Sequence, residues 1–399
     1  MKLLNYFIKF VKVESTSDPE CSNYPSTECQ KEMMKIIKKE MDAIGVKGII
    51  NKFGNYIAHL KGNPKLSSIG LCAHVDTASE FNGKNVNPQI IKNYKGNKIQ
   101  LGKTDSYLDP KIFPTLLKHK GKTLVTTDGT SLLGADDKAG VAIILDVAKN
   151  YLKLDIEKRH PLNILFTCDE EIGQGAKHFY KEEFQSDFGF TLDGGDIEEI
   201  AAENFYAYQI KTSFFGNSIH PGEGKGKLKN SIFILRDFLN ELDIKKTPFN
   251  SEKREGYYHV TNITSGVEES KVNIILRSFE MDEMKSIIKF FENIFGKLQK
   301  KYGKLNVKYN IKEQYKNMYP LVSKHKEIFD CLEDAYKKNN QKFKYVPIRG
   351  GTDGATFSYK GCPTPNLPTG SYNHHGKYEY AVVEDMEKIS KIILDILKQ

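Results

Sequence analysis

At 399 residues the chain exceeds what a single hydrophobic core usually organises, so two domains are expected. With 39% hydrophobic and 28% charged residues it can bury a core and reads as soluble and globular. The formal charge is +8, but the lysines are scattered instead of forming a basic stripe with interleaved aromatics, so nucleic acid is not an expected partner.

Cys21, Cys29, Cys72, Cys168, Cys331 and Cys362 form no C-x-x-C pair, which suits reduced thiols in the cytoplasm better than a disulfide frame or a structural zinc site. Met1 to Val13 alternates Lys with Leu, Phe and Ile at helical spacing and lacks the unbroken apolar region of a signal peptide. No apolar run approaches transmembrane length. A cytoplasmic protein without a membrane partner is expected.

Leu3 to Val11 has the spacing of an amphipathic opening helix. A second is predicted from Thr27, where Thr-Glu-Cys-Gln matches a capping box, to Gly45. Gly48 to Leu60 alternates apolar and polar residues around Phe53-Gly54-Asn55, predicting two strands joined by a turn. Ser68 to Ala73 is the short apolar run of a strand buried on both faces, and it ends in His74-Val75-Asp76-Thr77. Alternate strand residues share a face, so His74 and Asp76 point the same way. Residues 78–130, rich in Asn, Gly, Lys and Pro, read as a long surface excursion, with or without short strands, that returns to the Asp136 turn.

Leu132 to Gly140 is a tight turn that becomes a helix through the apolar Val141 to Ala148, and it carries Asp136 next to Asp137. Adjacent carboxylates repel and are costly to desolvate unless a cation compensates them, yet Asp is also a preferred N-cap. This stretch alone leaves both roles open. Leu162 to Thr167 is another buried-strand pattern, ending in Cys168-Asp169-Glu170-Glu171, and Phe188 to Leu192 ends in Asp193-Gly194-Gly195. Strand and helix in alternation predict an α/β domain with a mainly parallel sheet flanked by helices, which binds ligands at the carboxyl ends of its strands. From Phe205 strands and helices continue without acidic ends, predicting an α+β insert. The expected organisation is a catalytic domain over 1–204, the insert over 205–314 and the resumed catalytic domain over 315–399.

Each cluster has a bland reading alone: His74 as a core histidine, Asp76 as a cap, His375 as a surface residue. Together, at successive strand ends, clustered carboxylates without basic partners call for a cation, and lysines such as Lys138 are expected to be flexible surface counterions. Imidazole and carboxylate donors without thiolate suit zinc, cobalt or manganese. Five candidate ligands exceed what one tetrahedral ion needs, and a pair of ions sharing one carboxylate fits that count.

On these residues the chain resembles the M20 family of di-zinc metallopeptidases, and within it the tripeptide aminopeptidases. The motifs are His74-Val75-Asp76-Thr77, Gly83-Lys84-Asn85-Val86-Asn87-Pro88-Gln89, Leu133 to Gly140, Asp169-Glu170-Glu171, Asp193-Gly194-Gly195, His220-Pro221-Gly222, Arg349 to Gly354 and His375-Gly376-Lys377, in the family's order along essentially the whole chain. The Asn-Val-Asn-Pro-Gln stretch separates the tripeptide branch from more distant members.

The resemblance implies release of the N-terminal residue from tripeptides. It implies two zinc ions, with His74 and Asp193 on one, Glu171 and His375 on the other and Asp136 bridging; Asp76 would orient His74, and Glu170 would be the general base. It further implies a cis peptide between Asp136 and Asp137, and a ferredoxin-like lid that brings His220 over the site and is a candidate homodimer interface. Arg277, Arg349 and Asn373 are implied candidates for gripping the substrate. The alternative is another M20-type amidohydrolase, a dipeptidase or an N-acyl amino-acid deacylase. Three positions depart from the pattern: Cys168 for Pro, Ser278 for Asp and Tyr378 for His. A thiol at 168 beside a metal site would be open to adventitious coordination or oxidation.

Overall fold

The computed structural model describes residues 2–398. All six residues of strand Ile69–His74 are buried, as are all six of Leu162–Thr167. Such strands need cover on both faces, and both lie inside a six-stranded sheet. Its order is Gly48–Ile50, Tyr56–Leu60, Leu162–Thr167, Ile69–His74, Phe188–Gly194 and Asn366–Pro368. The last four run parallel, and the first two complete the sheet antiparallel. Because His74 is in register with Thr167 and Cys72 with Thr191, the three acidic strand ends emerge at one edge.

Helix Ala135–Tyr151 packs on this sheet and against helices Leu3–Val11 and Val383–Ile396. Its approach depends on Gly140, where a Cβ would lie 2.2 Å from the Leu192 carbonyl oxygen and 2.4 Å from Asp137 Oδ1. The second predicted helix forms over Glu28–Ala43, but its capping box does not. Thr27 makes no side-chain cap; its hydroxyl donates to Thr16 O at 2.8 Å, and Gln30 Nε2 reaches Asp169 Oδ1 at 2.6 Å. The Gln30 Oε1 that would reach back to the helix start accepts instead from Asp169 N at 3.0 Å.

The expected surface excursion is instead part of a core. Gln89–Ile91 and Leu124–Thr126 pair antiparallel, and Tyr380–Val382 and Ser371–Tyr372 extend them into a four-stranded sheet. Tyr94, Leu101, Leu108, Leu116, Leu124 and Tyr380 fill its interior. Strand partners so far apart in sequence leave no local periodicity to read.

The chain divides into two compact units. One comprises Met1–Ala202, Met318–Val346 and Thr352–Gln399, the other Glu203–Asn317 and Pro347–Gly351. The second is an antiparallel sheet in the order Tyr257–Ser265, Glu269–Ser278, Tyr206–Phe215, Val307–Tyr315. Helices Ser231–Asn240 and Met281–Tyr302 complete a β-α-β-β-α-β, ferredoxin-like succession. Buried Val272, Ile274 and Leu276 alternate along one strand and meet Phe238, Phe291 and Phe295 of the helices. The return segment Pro347–Gly351 belongs to this unit, not to the resumed domain, because Arg349 stacks over Phe205 and Tyr257 and donates to Lys253 O. All six cysteines are free. No helix among the described residues is long and apolar enough to cross a membrane.

His119 is buried beneath the four-stranded sheet, its ring centroid 4.8 Å from that of Tyr372. Neither ring nitrogen has a hydrogen-bond partner among the described residues, although Nδ1 lies 3.6 Å from Asp385 Oδ2. Burial first, then the Lys122 and Lys118 charges, press its pKa from 6.5 down to about 4, with Asp196 opposing them. A depressed folded pKa gives a contribution that is complete above pH 6.5 and disappears as pH falls toward 4. Its full value is roughly 3 kcal/mol. Replacing His119 by Phe should therefore flatten the acid limb: in urea melts the variant loses about 3 kcal/mol less than the native chain between pH 7 and 4. Equal slopes would refute this.

Candidate metal centre

His74 ends its strand with Nδ1 3.1 Å from Asp76 O and Nε2 3.0 Å from Asp136 Oδ1. Asp193, at the end of the neighbouring strand, places Oδ1 3.6 Å from the same Nε2. On the other side His375 Nε2 lies 3.0 Å from Glu171 Oε2 and 3.4 Å from Asp136 Oδ2. Asp136 thus offers one oxygen to each imidazole. Donor atoms of His74, Asp136 and Glu171 lie within 4.8 Å of one another, as do those of His74, Asp137 and Asp193. Asp137 is the less available carboxylate, since its oxygens already accept from His74 N at 3.2 Å and Gly140 N at 3.1 Å. It starts the helix, while Asp136 faces the cluster, and the peptide bond between them is cis.

Backbone amides hold the other acids in place. Asp76 is fully buried, and its Oδ1 and Oδ2 accept from the amides of Glu170 at 3.0 Å and Glu171 at 3.1 Å. Its carboxylate is 3.5 Å from His74 Nδ1, farther than its own carbonyl, so it clamps the Glu170 turn more closely than it orients the imidazole. Asp169, buried at a left-handed φ of 62°, accepts from Ser26 N, Ser26 Oγ and Gln30 Nε2 at 2.7, 2.5 and 2.6 Å. These bonds fix the turn from which Glu170 and Glu171 project. The Glu170 carboxylate has no hydrogen bond or ion pair among the described residues.

Burial opposes charge throughout the cluster, and neighbours override it at Asp136, His74 and His375 but not at the other acids. At Asp136 burial is overridden by His374, His375 and His74, which hold the acid well below its usual range. At His74 burial is overridden by hydrogen bonds to Asp136, Asp193 and Asp76, which raise it well above an ordinary imidazole. His375 is pushed up to about 11 by Asp136 and Glu171. Burial, joined by neighbouring carboxylates, raises Glu170 far above its normal value and Glu171 to about 7. Asp193 and Asp137 are also raised, chiefly by burial.

The donor set fits a divalent cation. Among the described residues it combines imidazole with carboxylate and includes no thiolate, and Glu171 Oε1 is buried with no hydrogen-bond partner. Lys138 is not the surface counterion expected. It is 1% exposed, donates to Val13 O at 2.7 Å and is lowered by burial to about 8. Cys168 turns its buried Sγ toward Gly54 O at 3.8 Å and joins neither donor group.

Of the remaining predicted residues, Asn373 lies in the first unit at φ 57°, its amide 3.2 Å from Tyr378 O. Arg277 and His220 belong to the second unit with Arg349. Arg277 donates through Nη1 to Leu276 O and Gln314, and exposed His220 accepts from Gly222 N at 3.2 Å. Ser278 is buried and donates to Glu283 Oε2 at 2.5 Å, so an acid here would bury a second carboxylate against Glu283. Tyr378 packs its ring 5.2 Å from Phe113 at the rim of the small core. Two residues escaped the sequence reading. His374 Nδ1 lies 3.4 Å from Asp136 Oδ2, and Glu379 is a buried acid with no ion pair among the described residues. The doubled histidine was the available signal for the first, and an acid between two tyrosines, just before a strand, was the signal for the second.

Comparison with known proteins assigns the class. The profile of peptidase family M20/M25/M40 matches residues 128–399. The chain belongs to this M20 family of peptidases and is accordingly a hydrolase. Among its relatives, a peptidase T of Clostridium perfringens is 43% identical over 401 residues, covering 100% of this chain and 98% of that one. The fold matches aminopeptidase PepT of Bacillus cereus with a TM-score of 0.77 at 20% identity, over 99% of this chain and 97% of that one. A tripeptidase of Staphylococcus aureus matches with 0.76 at 19% identity, over the same shares.

Replacing Asp169 by Ala should strand the Ser26 and Gln30 donors and release the turn that carries Glu170. The expected cost is about 1–3 kcal/mol in urea melts. A variant as stable as the native chain would show that the network does not hold the turn.

Proposed function

We propose that the protein is a tripeptide aminopeptidase that works with two divalent ions, one held by His74 and Asp193, the other by Glu171 and His375, with Asp136 shared. The observation that carries this reading is the split of Asp136, Oδ1 toward His74 at 3.0 Å and Oδ2 toward His375 at 3.4 Å, beside a Glu170 carboxylate with no hydrogen-bond or ion-pair partner among the described residues. Zinc suits the imidazole and carboxylate donors best, with cobalt or manganese as substitutes. When bound, such ions polarise the peptide carbonyl and the attacking water.

The remaining steps belong to the chain itself. His74 donates Nδ1–H to the Asp76 carbonyl, so Nε2, which faces Asp136 and Asp193, is the nitrogen that would meet an ion on losing its proton. Glu170 takes a proton from the attacking water and returns it to the leaving amine. Asp76 holds the turn that carries Glu170 and Glu171 by accepting from their two amides. The tripeptide preference is supported by the full-length similarity to peptidase T and the fold of the S. aureus tripeptidase. His220, Arg277 and Asn373 are assigned to substrate binding. Arg349 is the weakest candidate, since Lys253, Glu255 and Ser251 already take its donors.

Glu170→Ala should retain the metal content of the native chain while kcat falls by about 10²–10⁴-fold. Near-native turnover would remove Glu170 from the role of base. Exhaustive chelation should abolish hydrolysis, with zinc or cobalt restoring it. Among substrates, tripeptides with a free amino terminus should be cleaved in preference to dipeptides and N-acetylated peptides. Preference for an N-acyl amino acid would turn the assignment to a deacylase of the same family.

A further inference from the structure

Glu379 stands four residues after His375 and is 1% exposed. No Lys or Arg among the described residues pairs with it. Its charge is met by the main chain instead: Oε2 accepts from Leu133 N at 2.8 Å and Gly134 N at 2.7 Å, and Oε1 from Asp136 N at 2.9 Å. Gly134 is left-handed at φ 74°, which lets successive amides face one anion as in a backbone nest.

Both ends of this contact matter. At one end, the bonded amide of Asp136 belongs to the residue whose carboxylate faces His74 and His375. At the other, Glu379 leads into strand Tyr380–Val382, which is pinned to Leu124–Thr126. The segment that delivers His375 is therefore tied to the turn that delivers Asp136. Charge-assisted bonds to a buried carboxylate are the strong kind, and three of them leave the turn little freedom.

We propose that Glu379 is a positioning residue for the metal centre, locking the Asp136 turn in register with His375 so that the two side chains meet one ion. The role rests on the reading of Asp136 as a shared ligand. Loss of such an outer partner typically weakens metal binding by about 10- to 100-fold.

Cobalt titration of the chelated protein tests this in the native chain, Glu379→Gln and Glu379→Asp. Glutamine keeps the shape but turns an amino group toward a backbone N–H. Aspartate keeps the charge but falls short of one donor. Glu379→Gln should bind cobalt about 10- to 100-fold more weakly, shift the visible absorption of the bound cobalt and lower kcat more than it changes KM. Glu379→Asp should recover part of the affinity. Native affinity and spectrum in both variants would overturn the inference whatever their melting temperatures, and so would failure of both to fold with or without metal, which marks a purely structural brace. If the native chain itself binds no cobalt, the metal reading fails first and this one with it.

Discussion

The rest of the centre depends on how buried negative charge is compensated. Asp76, Asp136, Asp137, Glu170, Glu171 and Asp193 crowd around His74 and His375 at the carboxyl ends of parallel strands, with Lys138 turned away toward Val13 O. Carboxylates so placed cannot all stay ionised without donors or cations. The protein answers in two layers. In the outer one, Asp76, Asp137, Asp169 and Glu379 each accept backbone amides, so main-chain dipoles carry the compensation. In the inner one, Asp136, Glu171 and Asp193 accept no backbone amide among the described residues and face imidazoles. That asymmetry is what makes the inner layer the place for ions in the function proposed.

The fold supplies the convergence. Parallel pairing with His74 level with Thr167 puts three strand ends side by side, and Gly140 lets the helix after Asp136 close onto the strand that carries Asp193. The C-terminal segment then returns through the small sheet to add His375. His74, Asp136 and Asp193 thus sit where a strand ends or a helix begins, while Glu171 and His375 stand in the turns that follow strands.

Much of the centre was legible because local patterns carried it. Buried-strand runs that end in His or acid announced His74, Asp193 and the Glu170 turn, and the Asp136-Asp137 pair sat where a turn becomes a helix. What misled was equally local. Thr27 to Gln30 spelled a capping box, yet Gln30 is spent on Asp169. Lys138 looked like a solvated counterion, yet it is buried. Residues 78–130 lacked periodicity, yet they pair with strands from the far end of the chain. In each case a distant partner outbid the neighbours, and such partners leave no mark at short range.

By itself the sequence determined the alternation of strands and helices, the chemical type of every donor and, through its motifs, the family. Those properties reside in residue identity and short spacing, which hydrophobic periodicity and ligand chemistry translate directly. Only the tertiary structure decided that Asp76 clamps a turn by accepting from the Glu170 and Glu171 amides, and that Glu379 joins the Asp136 and His375 segments. These are matters of distance and direction between segments far apart in the chain, set by strand register and close helix packing.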